Sequence, residues 1–327
     1  MADYINIRGQ NIEVVASDPA NPTVGQIWYN STSNTLKGGG VTTAGAWATG
    51  NNMNTARAQL AGCGTQTAAL AFGGQGVPGS ATGATEEYDG TSWVNSNPMN
   101  TARNTLAGAG IQTAALAFGG LPPPTNTGAT EEYDGNSWTN SNDMITARRY
   151  LGGLGTQTAG LALGGYSTAQ VGTTEEYDGN SWTSSNPLNT ARSEMGTCGT
   201  QTAGLAFGGQ IAPFTGATEE YDGSTWTSSP GSLNTARYAL SGAGIQTAAL
   251  AFGGYTTVDL AATEEYNGTT WTSSPSSLAT ARYYLGGAGT QSAALAFGGE
   301  IQFSGKQSST EEWTGAGSPQ TKTITAS

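Results

Sequence analysis

The sequence predicts an all-β protein built from repeated four-stranded antiparallel sheets, and three observations lead to this prediction. A segment with two adjacent glutamates returns every 44 to 47 residues. Glycine supplies 50 of the 327 residues, while only 10% of residues are charged, a composition that favours tight turns over helices. Short stretches alternate small and large side chains, as strands do. Four short strands per unit at this period are typical of a β-propeller.

Four landmarks define each repeat unit, and six copies are present. An arginine follows Thr-Ala at Arg57, Arg103, Arg148, Arg192, Arg237 and Arg282. A Gly-Gly pair begins at Gly73, Gly119, Gly164, Gly208, Gly253 and Gly298. The glutamate pair begins at Glu86, Glu131, Glu175, Glu219, Glu264 and Glu311. A tryptophan keeps the same period at Trp47, Trp93, Trp138, Trp182, Trp226 and Trp271.

Each unit is predicted to contain four strands, which the first copy illustrates. Residues 58–64 form the first strand and residues 67–72 the second, in which Leu70 and Phe72 share one face while the alanines between them lie on the other. A large face can therefore pack against the small face of the neighbouring sheet. Glu-Glu-Tyr forms the third strand, Asp-Gly provides a hairpin turn, and the tryptophan lies on the fourth.

The order of these landmarks resembles the kelch repeat family. In the first five units Gly-Gly closes the second strand, Tyr lies on the third, Trp follows about five residues later on the fourth, and Arg opens the next unit. The resemblance covers residues 47–327. It implies a six-bladed β-propeller that binds partners, and it implies no particular reaction.

The last unit leaves the closure of the ring open. It ends at Glu311-Glu312-Trp313 without the Asp-Gly-x-x-Trp sequence that would supply a fourth strand. Two segments could supply it: the strand at Trp47 or the tail at residues 321–325. Closure by the Trp47 strand is preferred because it removes exposed sheet edges. The alternative is a seventh, degenerate blade that contains residues 24–46 and the tail.

Residues 1–46 form a separate predicted domain, an attachment segment, ahead of the propeller at 47–327. Residues 26–29 and 35–37 predict two strands that form a β-hairpin, with a turn at residues 31–34. The passage Gly-Gln-Ile-Trp-Tyr-Asn resembles hairpin segments of bacteriophage tail-fibre and other virion surface proteins. That resemblance implies attachment to other virion proteins. A hairpin with no attachment role is the alternative.

Composition excludes several classes of function. The chain has no histidine, which removes Ser-His-Asp and Cys-His catalytic systems and histidine-bearing metal sites, including those of kelch-like copper oxidases. A net charge of -12 argues against binding nucleic acid or anionic membranes. Residues 1–6 show no secretory leader and no stretch of 18 apolar residues occurs, so we expect a protein without membrane insertion that leaves its host by lysis. No cofactor is expected.

The two cysteines, Cys63 and Cys198, occupy the same place in the first and fourth copies. In a six-membered ring these copies are opposite, too far apart for a disulfide, which needs Cα atoms within about 7 Å. Both are predicted to be small buried residues.

The repeated charges are predicted to form structural ion pairs. Strands alternate in direction, so the arginine before the first strand and the glutamate pair on the third strand reach the same face. The predicted pairs join each repeat arginine to the first glutamate of a repeated pair, within one blade or between neighbouring blades. A catalytic carboxylate pair is needed only once, whereas this pair occurs six times. Calcium binding by these carboxylates is left open.

Function is predicted where the copies differ, because a repeat protein conserves what it needs for folding. The loops between the second and third strands and the two residues after each arginine vary most, and both belong to one face. The candidate binding residues there are Arg149, Tyr150, Tyr166, Phe214, Tyr238, Tyr255, Tyr283 and Phe303.

These features lead us to expect a non-enzymatic structural or adhesion protein on a phage virion surface. The aromatic face would bind a host glycan, a host receptor or a neighbouring subunit, and a homo-oligomer is compatible with that role. The alternative is a glycosidase or lyase acting on cell-surface polysaccharide. It would need an unrepeated cluster of carboxylates or tyrosines in the central channel, and the unrepeated acids Asp143, Glu194, Asp259 and Glu300 are scattered among the copies.

Overall fold

The computed structural model describes residues 12–19, 22–41, 44–317 and 319–324. Residues 1–11, on which the expectation about a leader rests, lie outside this part of the chain, as do residues 325–327. The described residues contain strands and turns but no helix. None of them therefore forms a helix that could span a membrane.

The described residues form thirty strands. In chain order they are β1 (Glu13–Val15), β2 (Ile27–Asn30), β3 (Thr35–Val41), β4 (Ala46–Gly50), β5 (Ala61–Thr65), β6 (Ala68–Phe72), β7 (Thr85–Tyr88), β8 (Trp93–Ser96), β9 (Ala107–Ile111), β10 (Ala114–Phe118), β11 (Thr130–Tyr133), β12 (Trp138–Ser141), β13 (Gly152–Thr156), β14 (Ala159–Leu163), β15 (Thr174–Tyr177), β16 (Trp182–Ser185), β17 (Gly196–Thr200), β18 (Ala203–Phe207), β19 (Thr218–Tyr221), β20 (Trp226–Ser228), β21 (Ser241–Ile245), β22 (Ala248–Phe252), β23 (Thr263–Tyr266), β24 (Trp271–Ser273), β25 (Gly286–Gly289), β26 (Ala293–Phe297), β27 (Glu300–Ile301), β28 (Gly305–Lys306), β29 (Thr310–Thr314) and β30 (Pro319–Thr323).

The larger of two compact units, residues 46–314, contains all six copies of the repeat. Each copy forms one four-stranded antiparallel sheet, here called a blade. The first five blades are β5–β8, β9–β12, β13–β16, β17–β20 and β21–β24, and the sixth contains β25, β26, β29 and β4. The first strands β5, β9, β13, β17, β21 and β25 contact one another in sequence, and β25 contacts β5. The blades therefore form a closed ring.

The sixth blade is completed by the strand that contains Trp47. Strand β4 pairs antiparallel with β29, with Trp47 opposite Trp313. This is the closure that the sequence favours. Because the first strand of the unit completes the last blade, neither end of the repeat array leaves an unpaired edge at this position.

The smaller unit comprises residues 1–45 and 315–327 and contains a seventh four-stranded sheet, β1-β2-β3-β30. The prediction of six four-stranded sheets is therefore wrong for the chain as a whole, and the predicted alternative gives the observed number, seven. The seventh sheet contains no copy of the repeat, and its β1–β2 pair is parallel. The predicted domain boundary at residue 327 is also wrong, because residues 315–327 belong to the smaller unit, where β30 pairs with β3.

The predicted hairpin in the smaller unit is present but is only half of its sheet. Strands β2 and β3 pair antiparallel around a turn at residues 31–34. Trp28 is fully buried, and its indole N–H donates to the carboxylate of Asp18, which also accepts from the side chain of Asn30. Both hydrogen bonds lower the pKa of Asp18, and the one from Asn30 has the larger effect.

Blades pack by fitting aromatic rings against glycine. The second-strand residues Leu70 and Phe72 are fully buried, as are the alanines beside them. Phe72 lies against Gly108 of the next blade, where an added Cβ would come within 2.4 Å of the ring. The small residues of the first strand are therefore required by close approach of the neighbouring blade.

Polar side chains of each blade also bind the blade before it, as the first two blades illustrate. The indole N–H of Trp138 donates to the hydroxyl of Thr85 at 3.0 Å. The Tyr133 hydroxyl donates to Glu87, the second glutamate of its pair. The Gln112 amide donates to the carbonyls of Ala69 and Tyr88. Residues that define the repeat thus join blades as well as shape them.

Candidate functional site

The six repeat arginines lie inside the blades, each beside the first glutamate of a repeated pair. All six arginines are fully buried, and the glutamates are nearly so. The nitrogen–oxygen distances are 3.0 Å for Arg57–Glu86, 3.0 Å for Arg103–Glu131, 3.2 Å for Arg192–Glu219, 2.8 Å for Arg237–Glu264 and 2.7 Å for Arg282–Glu311, and Arg148–Glu175 is in direct contact. Each pair lies within one blade and has no surface available to a ligand.

Burial dominates the electrostatics of these pairs. It lowers the pKa of Arg57 to about 10, against the opposing charge of Glu86. The second oxygen of each glutamate is also occupied: in the third blade, Glu175 accepts the backbone N–H of Ile145 at 2.7 Å. The guanidinium of Arg148 donates to the carbonyl of Gly164 at 2.9 Å. The pairs therefore tie the segment before the first strand to the second and third strands.

The other repeated acids also bind within the protein. The aspartate of each Asp-Gly turn accepts backbone N–H groups two and three residues ahead; Asp89 binds Thr91 and Ser92 in this way. These hydrogen bonds, with that from Ser92 the largest, lower the pKa of Asp89. Within the described ranges, no group of three or more Cys, Asp and Glu side chains could hold a metal ion.

The second residue after each repeat arginine forms a ring around the axis of the larger unit. These residues, here called the axial ring, are Gln59, Thr105, Tyr150, Glu194, Ala239 and Tyr284. Each backbone N–H donates to the carbonyl of the preceding member at 2.8 or 2.9 Å, and Gln59 donates to Tyr284 to close the cycle. All six have φ between 53° and 56°. A left-handed backbone is unusual for residues other than glycine, and here it directs six different side chains to one place.

The first residue after each arginine connects this ring to the variable loops. Arg149 forms a β-bridge with Tyr166, Tyr238 with Tyr255, and Tyr283 with Glu300. In every blade, the bridge partner of the first residue after the arginine is the residue that follows the Gly-Gly pair. The axial ring, these bridged residues and the loops between second and third strands together make one surface, here called the variable face.

Seven aromatic side chains and one arginine form a continuous band on this face, here called the aromatic arc. Successive ring centroids are 6.0 Å apart for Phe214–Tyr238, 5.6 Å for Tyr238–Tyr255, 5.2 Å for Tyr255–Tyr283, 5.0 Å for Tyr283–Tyr284 and 5.8 Å for Tyr284–Tyr150. The guanidinium of Arg149 lies 5.7 Å from the Tyr150 ring and 4.8 Å from the Tyr166 ring. The arc therefore runs from the fourth blade to the sixth and across the axis to the third.

A cavity of ≈110 Å³ opens within the axial ring. Its floor is apolar and consists of the residues that follow the ring members: Leu60, Leu106, Leu151, Met195, Leu240 and Leu285. Its walls are the six ring side chains. The only carboxylate among these described lining residues is Glu194, which accepts a hydrogen bond from the Tyr284 hydroxyl at 2.7 Å.

The ionisation of this cavity is set by burial. Burial raises the pKa of Glu194 to about 7, although the hydrogen bond from Tyr284 and the charge of Arg149 lower it. Burial, followed by the charge of Glu194, raises the pKa of Tyr284 above its ordinary value. Tyr284 therefore remains a hydrogen-bond donor at any physiological pH, and Glu194 changes its charge near neutrality.

Seven of the eight predicted binding residues belong to the arc; the exception is Phe303. It lies at the tip of the β27–β28 hairpin and is 98% exposed. Its neighbour Gln302 donates a backbone N–H to Asp259 and a side-chain N–H to the Tyr255 hydroxyl, so the hairpin is held beside the arc.

The predicted binding residues omit Glu194 and Tyr284, although the variable positions after the repeat arginines include both. Glu194 was one of four scattered acids, and only the closed ring brings it to Tyr284. A signal was present, since both occupy the second position after a repeat arginine. What the sequence could not show is that this position lies on the axis.

The two cysteines are free and buried, as predicted. Burial raises the pKa of each thiol to about 12. Neither belongs to the axial ring or the aromatic arc.

Comparisons with known proteins give the fold and nothing finer. No protein-family model matches the chain, and no curated protein matches it. The solved structure of YjhT is similar to this chain with a TM-score of 0.67 at 12% sequence identity, over 80% of this chain and 95% of that one. This similarity and the closed ring of four-stranded blades show a β-propeller.

Proposed function

We propose that this protein is a non-enzymatic adhesion protein that binds a saccharide chain along its aromatic arc. The observation that carries the proposal is the continuity of the arc, in which neighbouring rings are 5.0 to 6.0 Å apart. Aromatic rings offer large apolar faces with polar edges at low entropic cost, which suits both sugar rings and protein loops. A row of them suits an extended ligand with repeating units.

The scaffold does not require these aromatic residues. The positions equivalent to Tyr238 and Tyr283 hold Ala58, Asn104 and Ser193 in other blades, with the same backbone bridge to the following loop. The arc is therefore a property of four blades and not of the repeat. Most arc side chains are half-buried, so their edges and part of their faces remain accessible.

We further propose that the protein is displayed on the surface of a bacteriophage particle. The support is the resemblance of the hairpin sequence around Trp28 to virion surface proteins. In this proposal the smaller unit attaches the chain to other virion proteins and the variable face binds host saccharide. A receptor protein or a neighbouring subunit is the competing ligand for the same face.

The binding proposal is tested with a panel of immobilised polysaccharides: neutral, acidic and amino-bearing. The wild type should bind at least one member. The variant Tyr166→Ala/Phe214→Ala/Tyr255→Ala should lose binding by about 10-fold or more, because each lost ring contact is worth about 0.5–1.5 kcal/mol. Undiminished binding by this variant, or no saccharide binding at all, would refute the proposal.

The matched control removes three large apolar groups from elsewhere on the protein surface. Val94, Ile111 and Ile145 are more than half exposed and outside the arc. Their triple alanine variant should bind as the wild type does. For the virion proposal, purified phage particles from the host culture should contain the chain by mass spectrometry; its absence from particles, with the chain present in the lysate, would contradict that part.

One observation favours the alternative enzyme, namely Glu194 with its raised pKa in the wall of the axial cavity. A neutral carboxylic acid can act as a general acid. However, glycoside hydrolysis generally uses two carboxylates, and Glu194 is the only one among the described residues that line the cavity. The test is to incubate each bound polysaccharide with the protein and measure new reducing ends. Release that Glu194→Gln abolishes would favour the enzyme.

A further inference from the structure

The fold does not require a carboxylate at residue 194. The other members of the axial ring keep the same left-handed backbone and the same ring hydrogen bond with glutamine, threonine, tyrosine or alanine. A half-buried carboxylate is costly compared with any of these. Burying this carboxylate lowers the stability of the folded protein and gives no contact that folding needs. We therefore expect the charge of Glu194 to serve ligand binding.

Glu194 also forms no ion pair with any described residue. Within the described ranges, the ion pairs are the six between repeat arginines and glutamates, and Glu194 belongs to none of them. The nearest candidate, Arg149, lies over the rings of Tyr150 and Tyr166 and donates to Asn126 at 2.9 Å. Among the described residues, the one side chain that donates a hydrogen bond to the Glu194 carboxylate is Tyr284, so further oxygen lone pairs can accept from a ligand.

The cavity around Glu194 has the chemistry of a site for a small organic cation. Tyr150 and Tyr284 stand beside it with ring centroids 5.8 Å apart and planes inclined by 23°. Aromatic faces attract ammonium groups, and a carboxylate provides the counter-charge. Gln59 and Thr105 on the same ring offer further hydrogen-bond acceptors. A volume of ≈110 Å³ exceeds the roughly 10–15 Å³ that one water needs, so the cavity admits a group of several atoms.

The cavity is continuous with the aromatic arc. Tyr284 is a member of both, and its ring lies 5.0 Å from that of Tyr283. A saccharide chain on the arc therefore extends naturally over the cavity mouth. An amino group at the edge of a sugar ring can point into the cavity while the ring stays on the arc.

We infer that the axial cavity binds the ammonium group of an amino sugar through Glu194, Tyr150 and Tyr284. This rests on the proposed saccharide binding and narrows its ligand class to polysaccharides with free amino groups. N-acetylated sugars lack the charge and carry a larger group at the same atom. An N-acetylated sugar therefore forms no ion pair with Glu194 and fits the cavity less well than an amino sugar.

The inference predicts a bell-shaped dependence of affinity on pH. Toward acid pH, Glu194 takes up a proton; toward alkaline pH, the sugar amine loses one. The groups that face Glu194 are the hydroxyls of Tyr150, Tyr238 and Tyr284 and the guanidinium of Arg149. Burial raises the pKa of all three tyrosines, so none of them changes charge near neutrality. Affinity for an N-acetylated sugar should show no such optimum.

The test uses two probes of equal length, a glucosamine hexasaccharide and an N-acetylglucosamine hexasaccharide, titrated calorimetrically near pH 7. The wild type should bind the glucosamine probe about 10- to 100-fold more tightly, the range expected for a charged hydrogen bond. Glu194→Gln should abolish this preference. The control Asp143→Asn, which removes an exposed carboxylate outside the arc, should retain it.

The outcomes separate this inference from the proposed function. Equal affinity for the two probes, or a preference that survives in Glu194→Gln, would overturn the amino-sugar site. If the N-acetylated probe or another panel polysaccharide still bound, and the triple arc variant lost that binding, the saccharide proposal would stand without the inference. No binding to any saccharide would overturn both. Melting curves of Glu194→Gln and of the triple arc variant would show that both fold.

Discussion

Replacing Arg148 with methionine is expected to destabilise the larger unit strongly. Arg148 is fully buried and contacts Glu175, and it also donates to the carbonyls of Gly164, Thr146 and Ala162. Methionine fills much of the same volume but leaves Glu175 as a buried charge without a cation. Two backbone N–H groups, of Ile145 and Thr146, would remain as its hydrogen-bond donors.

The size of the effect follows from the loss of one partner of a buried pair, which costs about 3–5 kcal/mol. For a unit of this size, 1 kcal/mol corresponds to about 2–4 °C in melting temperature. Arg148→Met should therefore lower the melting temperature by roughly 6–20 °C, measured by calorimetry at pH 7.

Two further variants show whether the buried pair is responsible. Arg149→Met removes the same charge from the next residue, which is half-buried and has no ion pair with a described residue, so its melting temperature should change by only a few degrees. The double variant Arg148→Met/Glu175→Leu removes the stranded charge and should recover part of the loss. An unchanged melting temperature for Arg148→Met would refute the structural role of these pairs.

Three other outcomes are expected. Between about pH 4.5 and 7 folded Glu194 holds a proton that the unfolded chain releases, so the contribution of Glu194 to the free energy of unfolding falls as pH rises through this window. Glu194→Gln should be more stable than the wild type at pH 8, on the order of 3 kcal/mol, and equal to it near pH 4 in urea titrations. Trp138→Phe should cost about 1 kcal/mol or more by losing the hydrogen bond to Thr85, and Thr85→Val should remove the same bond. Cys63 and Cys198 should resist iodoacetamide at pH 8 in the folded protein and react after denaturation, which an alkylation time course by mass spectrometry would show.

The repeat made the blades predictable because each copy carries its own strand signals. Alternation in residues 67–72 and the Asp-Gly turn are local features, and six copies reinforce each other. The meeting of Arg57 with Glu86 also follows from strand direction alone, because Arg57 lies before the first strand and Glu86 lies near the start of the third strand, which runs in the same direction.

The seventh sheet could not be predicted in the same way. It joins β3 to β30, two strands almost 280 residues apart in sequence, without a repeated partner to indicate register. Its parallel pair, β1 with β2, depends on residues 13–15, which carry no turn or periodic signal. Long-range pairing of unrepeated strands is decided by tertiary contacts that a single sequence does not display.

The face that carries the candidate binding site was predictable, but the axial ring at its centre was not. The positions that differ among the copies include seven predicted binding residues that lie together in the aromatic arc of the structure. The axial ring depends on six backbone hydrogen bonds between blades and on left-handed φ angles at residues such as Thr105 and Glu194. Those residues are not typical of left-handed positions, so their place after each repeat arginine does not by itself show that they form a ring around the axis.

Hydrogen–deuterium exchange with and without the tightest-binding polysaccharide tests most directly whether the variable face binds the ligand. Protection is predicted at residues 148–151, 164–167, 209–216, 253–258 and 282–285. The internal comparison is provided by the Asp-Gly turns at residues 89–92, 134–137 and 178–181. They follow the third strands, which start at the variable face, so they lie on the opposite face of the blades, and exchange there should not change. Protection confined to those turns, or spread equally over both faces, would contradict binding along the aromatic arc.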